Sequence, residues 1–223
     1  VSYWDIKNYW KLEMDFITFK KSIPENVNII AVSKTKPVEK IKQIYDLGHK
    51  DFGENKVQEL VKKYEELPDD INWHLIGKLQ RNKVKYIAPF VHLIHSVDSE
   101  KLLIQINKEG NKNNRIINVL LQIKISNDPL KTGFDFSELE KIFTSDNLLK
   151  YKFVKVLGFM GMGSIDQSKN EEEFRKISNY FNETSKMYDL KYLSLGMSND
   201  YKLAIKYNSN MIRIGSLIFG SRN

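Results

Sequence analysis

The chain has 223 residues, of which 41% are hydrophobic and 12% aromatic, and it carries a formal net charge of +7. That length suits one large α/β domain or two small ones, and the apolar share is enough for a real core. The absence of cysteine excludes a disulfide framework and thiolate chemistry, and no apolar run approaches the roughly 20 residues of a membrane-spanning helix.

The opening stretch, VSYWDIKNYWKLEMDF, is amphipathic and contains acids, so it reads as neither a secretory signal nor a transit peptide. A cytoplasmic protein is the expectation. Ile6, Trp10, Met14 and Ile17 fall on one helical stripe and predict a leading helix that ends before Ser22-Ile23-Pro24. Val27 to Val32 is a β-branched apolar run, the first buried strand. A helix follows from Val38 to Leu47, with Gly48 placed to end it. Lys50 to Phe52 is a short strand leading into Gly53-Glu54-Asn55. The next helix shows Val57, Leu60, Val61 and Tyr64 on one face.

Asn72 to Ile76 predicts a third strand, followed by Gly77 and a short helix through Val84 and Ile87. The densest lysine cluster, Lys78 to Lys85, lies here and is short. Elsewhere lysines interleave with glutamates, so the charge reads as a solvated surface rather than a nucleic-acid interface. Pro89 to Val97 predicts a fourth strand, with Asp98 placed to cap the helix carrying Leu102, Leu103 and Ile106. Gly110 to Asn114 reads as a loop and Ile116 to Ile125 as a long fifth strand. The loop from Ser126 to Gly133 leads to a helix around Leu139 and Ile142. Phe153 to Phe159 is the sixth strand, and a glycine-rich stretch, Gly158 to Gly163, follows it. A helix from Glu171 carries Phe174, Ile177 and Phe181. Tyr192 to Leu195 is the seventh strand, a helix runs through Leu203 and Ile205, and Met211 to Ile214 is the eighth strand.

Eight short buried strands alternating with helices, without a linker, predict an α/β chain folded as a single (β/α)8 TIM-type barrel spanning residues 1–223. A doubly wound open sheet is the alternative. No long helix follows Ile214, so the leading helix is expected to fill the eighth helical position. In a barrel, chemistry collects where strands end. The exits offer Lys34, Asn55, His74, the methionines around Gly161, Ser198, Arg213, Gly215 and Ser216. Lys34 ends a buried strand, where desolvation lowers an amine's pKa and favours Schiff-base chemistry; the bland reading is a solvated loop lysine. Ser198 reads equally as a helix cap. Arg213 in an apolar strand demands a partner. The histidines at 49, 74, 92 and 95 show no metal-binding spacing, and His92 and His95 are expected to face opposite sides of a strand. No metal is expected.

The motifs AVSKTKP, DFGENKVQEL, WHLIGKLQRNK, VLLQIKISNDPLKTGF, GFMGM, LSLGMSND and MIRIGSLIFG occur in this order. Together they resemble the pyridoxal-phosphate homeostasis protein family, known also as the proline synthase co-transcribed homologue. That family is similar in fold to the N-terminal barrel of alanine racemase. The likeness runs from about Val27 to the C-terminus and departs from the family pattern at GFMGM. It implies pyridoxal 5′-phosphate held covalently on Lys34, with Lys36 a neighbouring base. It places Arg213 at the pyridine nitrogen, Gly215, Ser216, Ser198 and the Met197 backbone around the phosphate, and Asn55 near the ring.

The resemblance further implies a role in vitamin B6 homeostasis and in amino- and keto-acid balance, with little catalysis. Racemases bring an opposing tyrosine from a second domain, and no stretch after Asn223 supplies one. A monomer is implied, with apo-enzymes as candidate recipients of the cofactor. The alternatives are a weak racemase-like enzyme of the same fold type and a polyanion-binding module.

Overall fold

In a computed structural model, residues 3–126, 128, 131–143 and 148–220 are described, with side chains from Trp10 onward. The strands are β1 (Asn28–Val32), β2 (Asp51–Glu54), β3 (Asn72–Leu75), β4 (Leu93–Val97), β5 (Ile117–Ile123), β6 (Val154–Gly161), β7 (Tyr192–Ser194) and β8 (Met211–Ile214). They pair in chain order and close into a barrel. Closure is parallel, with Ile29 opposite Ile212 and Ile30 opposite Arg213. The barrel expectation holds, and the open sheet is excluded.

The helices are α1 (Tyr3–Lys21), α2 (Val38–Asp46), α3 (Val57–Glu66), α4 (Val84–Ile87), α5 (Glu100–Lys112), α6 (Phe136–Phe143), α7 (Asn170–Thr184), α8 (Tyr201–Lys206) and α9 (Ser216–Phe219). None of the described helices is long and apolar enough to cross a membrane.

Strand alternation sorts side chains into two cores. Ile29, Ala31, Ile212 and Ile214 belong to the layer between strands and helices. Ile30, Leu93, Leu120, Leu157, Met160 and Met211 fill the barrel interior. The long apolar runs arise because a barrel strand is covered on both faces.

The helix after β8 is only α9, and α1 packs on it and on α2, filling the eighth position as expected. The face it uses differs from the predicted stripe. Trp10 and Met14 are exposed, whereas Leu12, Phe16 and Phe19, with Ile23 just beyond, are buried; the side chain of Ile6 lies outside the described residues. The aromatic pair at 16 and 19 offers more apolar area than the methionine stripe, at roughly 1.5–3 kcal/mol per fully buried side chain.

Several boundaries shift for identifiable reasons. Residues 88–90 form a turn, so β4 starts at Leu93 rather than Pro89. The cap position of α5 is Ser99, not Asp98, and it makes no side-chain cap bond. Gly110 lies inside α5 rather than in a loop. A Cβ there would come within 2.8 Å of the Arg115 and Phe153 carbonyl oxygens, so close backbone approach overrides its low helix propensity. β6 extends through Gly161, which makes the first part of the glycine-rich stretch strand. Ser198 caps nothing, since α8 begins after Asp200.

His49 is buried beneath α1, edge-on to Phe16 at 5.2 Å and Phe52 at 5.4 Å. Its neutral Nε2–H donates to the Asp51 carbonyl at 3.0 Å. Burial lowers its pKa from 6.5 to about 4, although the nearby Asp51 carboxylate opposes that shift. The unfolded chain therefore binds the extra proton more readily. His49 contributes about 3 kcal/mol above its unfolded pKa, and that contribution drains away as pH falls through the window between the two values. Urea unfolding at neutral pH and near pH 4 should show this loss, and His49→Leu should reduce it. An unchanged acid dependence in His49→Leu would assign the loss to other groups.

Candidate functional site

β1 ends at Val32, and the chain turns through Ser33-Lys34-Thr35-Lys36 into Pro37 and α2. Two features hold that turn. Ser33 Oγ donates to Glu54 Oε1 at 2.6 Å, and Lys63 Nζ donates to the Ser33 carbonyl at 2.8 Å. Thr35 sits at φ +64°, unusual for a β-branched residue, and its N–H donates to Glu59 Oε1 at 2.5 Å. Lys63 joins the two anchors, reaching Glu54 and Glu59 at 2.7 Å each. Lys34 is thus half-buried between two fixed neighbours.

Asn55 leaves the end of β2. Gly77, at the end of β3, backs directly onto it: a Cβ on Gly77 would lie 2.3 Å from the Asn55 carbonyl oxygen. Arg213 rises from β8 and is almost wholly buried. Its Nη1 donates to the Ser194 carbonyl at 2.8 Å and to Ser194 Oγ at 2.6 Å, and its Nη2 donates to the Gly161 carbonyl at 3.0 Å. Those bonds provide the partners that a buried guanidinium requires. Burial pushes its pKa down to about 10, which still leaves it charged at neutral pH.

Lys34, Asn55, Met197, Ser198, Arg213, Gly215 and Ser216 all line one hollow of about 330 Å³ at the carboxyl mouth of the barrel. Lys36 lines it too, with its Nζ directed to the Phe219 carbonyl at 3.2 Å. No carboxylate lines it among the described residues, so its field is cationic. Val32, Ile76 and Met162 supply apolar walls. Of the two methionines offered around Gly161, Met162 lines the hollow while Met160 fills the barrel interior. A larger hollow of about 660 Å³ lies outside the barrel mouth beside Lys78, Arg81 and Lys101 and contains none of the expected site residues.

One expected contact is altered. The Met197 N–H donates to Asp200 Oδ1 at 2.6 Å, so in this arrangement Met197 lines the hollow while its amide is already engaged. Gly215 begins the last turn, and a Cβ there would meet Val32 only at ordinary distance. Fold sterics therefore do not require glycine at 215.

Beneath the hollow, a chain of polar groups crosses the barrel interior. Arg213 donates to Ser194 Oγ; His95 Nδ1 lies 3.1 Å from that oxygen; His95 Nε2 is 2.9 Å from His74 Nδ1; His74 Nε2 is 3.1 Å from Asp51 Oδ1. Arginine only donates and carboxylate only accepts, so Ser194 Oγ accepts from Arg213 and His74 Nε2 carries a proton toward Asp51. Burial lowers His95 well below the usual imidazole range, so its ring is neutral at neutral pH. His92 and His95 do not face opposite sides: both rings lie near His74, with centroids at 5.3 and 5.2 Å. His92 precedes β4, so strand alternation does not apply to it.

A closed barrel of eight parallel strands with interleaved helices is the fold of the alanine racemase N-terminal domain. The family model of that description matches residues 11–223. Alanine racemase of Bartonella henselae, at 14% identity and a TM-score of 0.75, shares the fold over 96% of this chain and 59% of its own.

The chain belongs to the pyridoxal phosphate homeostasis protein family. The Aquifex aeolicus member is 40% identical over 87% of this chain and 86% of its own length. The Schizosaccharomyces pombe member is 38% identical over 88% and 85%. PipY of Synechococcus elongatus, solved with PLP bound, superposes with a TM-score of 0.86 at 31% identity, covering 94% of this chain and all of PipY.

Proposed function

We propose that this chain holds pyridoxal 5′-phosphate covalently on Lys34, and that it carries, buffers or delivers the cofactor in intracellular vitamin B6 homeostasis. Amino- and keto-acid balance is then affected indirectly. The observation that supports this most is the convergence of all seven expected site residues on one cationic hollow. Its volume falls at the lower end of the range of small-molecule sites, about 300–1,000 Å³. The reading takes the chain as one cofactor-binding barrel domain acting as a cytoplasmic monomer, with apo-enzymes among its recipients.

Pyridoxal phosphate, when bound, supplies an aldehyde for an amine and a ring that withdraws electrons from it. Lys34 presents that amine from a braced turn. Arg213, charged at neutral pH, would hold the ring at its nitrogen, disfavour a proton there and so weaken the ring as an electron sink. Ser198 and the first amides of α9 would hold the phosphate; these amides precede the first bonds of α9, which Ile218 and Phe219 make to the Gly215 carbonyl. Gly215 leaves the anion room to approach, and Asn55 orients the ring.

Arg213→Ala is expected to weaken cofactor retention about 10–100-fold, since charge-assisted hydrogen bonds contribute roughly 1.5–3 kcal/mol. Equilibrium dialysis of the variant checks this, and unchanged affinity would remove Arg213 from the site. The test of the whole reading is the ultraviolet–visible spectrum of the purified protein before and after borohydride.

The second reading is a weakly active racemase-like enzyme, and the shared barrel favours it. Among the described residues, the hollow has no tyrosine, histidine or carboxylate lining it opposite Lys34, which supports the carrier. Incubation of holo protein with single L-amino acids in deuterated water separates the two. Rapid α-proton exchange would establish the enzyme.

A further inference from the structure

The opposite mouth of the barrel carries its own cluster. Asp51 opens β2, His74 lies within β3, and His92 stands one residue before β4. One ligand atom from each lies within 4.8 Å of the other two. His74 is buried, Asp51 is half-exposed and His92 is exposed, so the cluster has a fixed floor and an entry from solvent. Among the described residues, neither ring nitrogen of His92 has a hydrogen-bond partner, although the ring lies against His74. Arg115, a cation that acts on His92, has its guanidinium committed to the Ala88 carbonyl at 3.1 Å and the Val91 carbonyl at 2.6 Å.

We propose that Asp51, His74 and His92 form a binding site for a divalent transition metal of the zinc class at the amino-terminal mouth of the barrel. Two imidazoles and one carboxylate are the donor set of such metals; magnesium and calcium take oxygen ligands instead. Zinc bonds of about 2.0–2.1 Å place tetrahedral ligands roughly 3.3 Å apart. His74 Nε2 and Asp51 Oδ1 already stand at 3.1 Å, so only the exposed His92 has to swing inward. Three protein ligands leave a fourth position for water or a small anion.

The interior polar chain accommodates such a metal. Coordination takes the Nε2 lone pair of His74, and its proton moves to Nδ1, which donates to His95 Nε2 at 2.9 Å. His95 Nδ1–H then donates to Ser194 Oγ at 3.1 Å, an oxygen with a second lone pair for Arg213. The His74–His95 and His95–Ser194 contacts survive with their direction reversed, Arg213 still donates to Ser194 Oγ, and His74 and Asp51 become ligands. Metal-bound histidines regularly have their second nitrogen held in this way.

The competing account is a buried His–Asp pair with an incidental third imidazole. Tag-free protein stripped with a chelator is titrated with zinc by calorimetry and with cobalt(II) by visible absorption. One equivalent is expected to bind, with the intense ligand-field bands of four-coordinate cobalt. His92→Ala and Asp51→Asn are expected to weaken zinc binding at least tenfold. His92 is exposed, and far-ultraviolet circular dichroism checks that its variant folds. Absence of stoichiometric binding, or equal affinity in wild type and His92→Ala, overturns the proposal. Lys34→Ala leaves this measurement untouched, so the metal site and the cofactor reading stand or fall separately.

Discussion

Replacing Lys34 with alanine is expected to remove all borohydride-fixable pyridoxal phosphate from the protein, together with its visible absorbance. The side chain is half-buried in a turn and lies outside both apolar cores, so the barrel should unfold at nearly the wild-type denaturant midpoint. Noncovalent retention should persist at reduced affinity, because Arg213, Ser198 and the α9 amides are untouched. Mass spectrometry after reduction provides the decisive readout. An adduct persisting on Lys36, which lines the same hollow, would show that the anchor is the second lysine of the motif.

Lys63→Met should produce the largest loss of stability. Glu54 is fully buried, and Lys63 is nearly so. Burial raises the Glu54 carboxyl pKa against the opposing pull of Lys63. Removing the ammonium strands that carboxylate in the protein, at a cost of about 3–5 kcal/mol. The same ammonium holds the Ser33 carbonyl on one side of Lys34 and, through Glu59, the Thr35 amide on the other. Cofactor affinity should therefore fall along with stability. The double variant Glu54→Leu/Lys63→Met separates these effects: its stability should return toward wild type while its affinity stays low. A single variant that loses less than about 1 kcal/mol in urea unfolding would sink the view that this pair is an uncompensated liability once broken.

The strands were legible because barrel strands are covered on both sides and so read as β-branched runs, as Val27 to Val32 does. The hollow was legible for a related reason: Lys34, Asn55 and Ser198 are polar residues lying within four positions of the carboxyl ends of such strands. What escaped depends on partners distant in sequence. Lys63 falls among charged residues of α3 and looks solvated until Glu54 and Ser33 are brought beneath it. Gly110 looks like a helix stop until the Phe153 carbonyl is seen passing over it. Asp51, His74 and His92 come from three consecutive strand units, so no local spacing reports their meeting. Ser194, the partner of Arg213, is one small residue in a three-residue strand and carries no signal. Along α1, helical spacing fits both the 10–14–17 and the 12–16–19 faces, and only packing against α9 and α2 distinguishes them.

The contact between Gly77 and Asn55 puts one dimension of the mouth under the control of a residue outside the hollow's lining. The smallest possible addition, a single methyl group, has nowhere to go but into the backbone that carries Asn55. The chain would have to step aside, and the aperture would change its outline without any change in the residues that form its wall. A search for affinity variants confined to the lining would pass over position 77, the hidden wedge behind it.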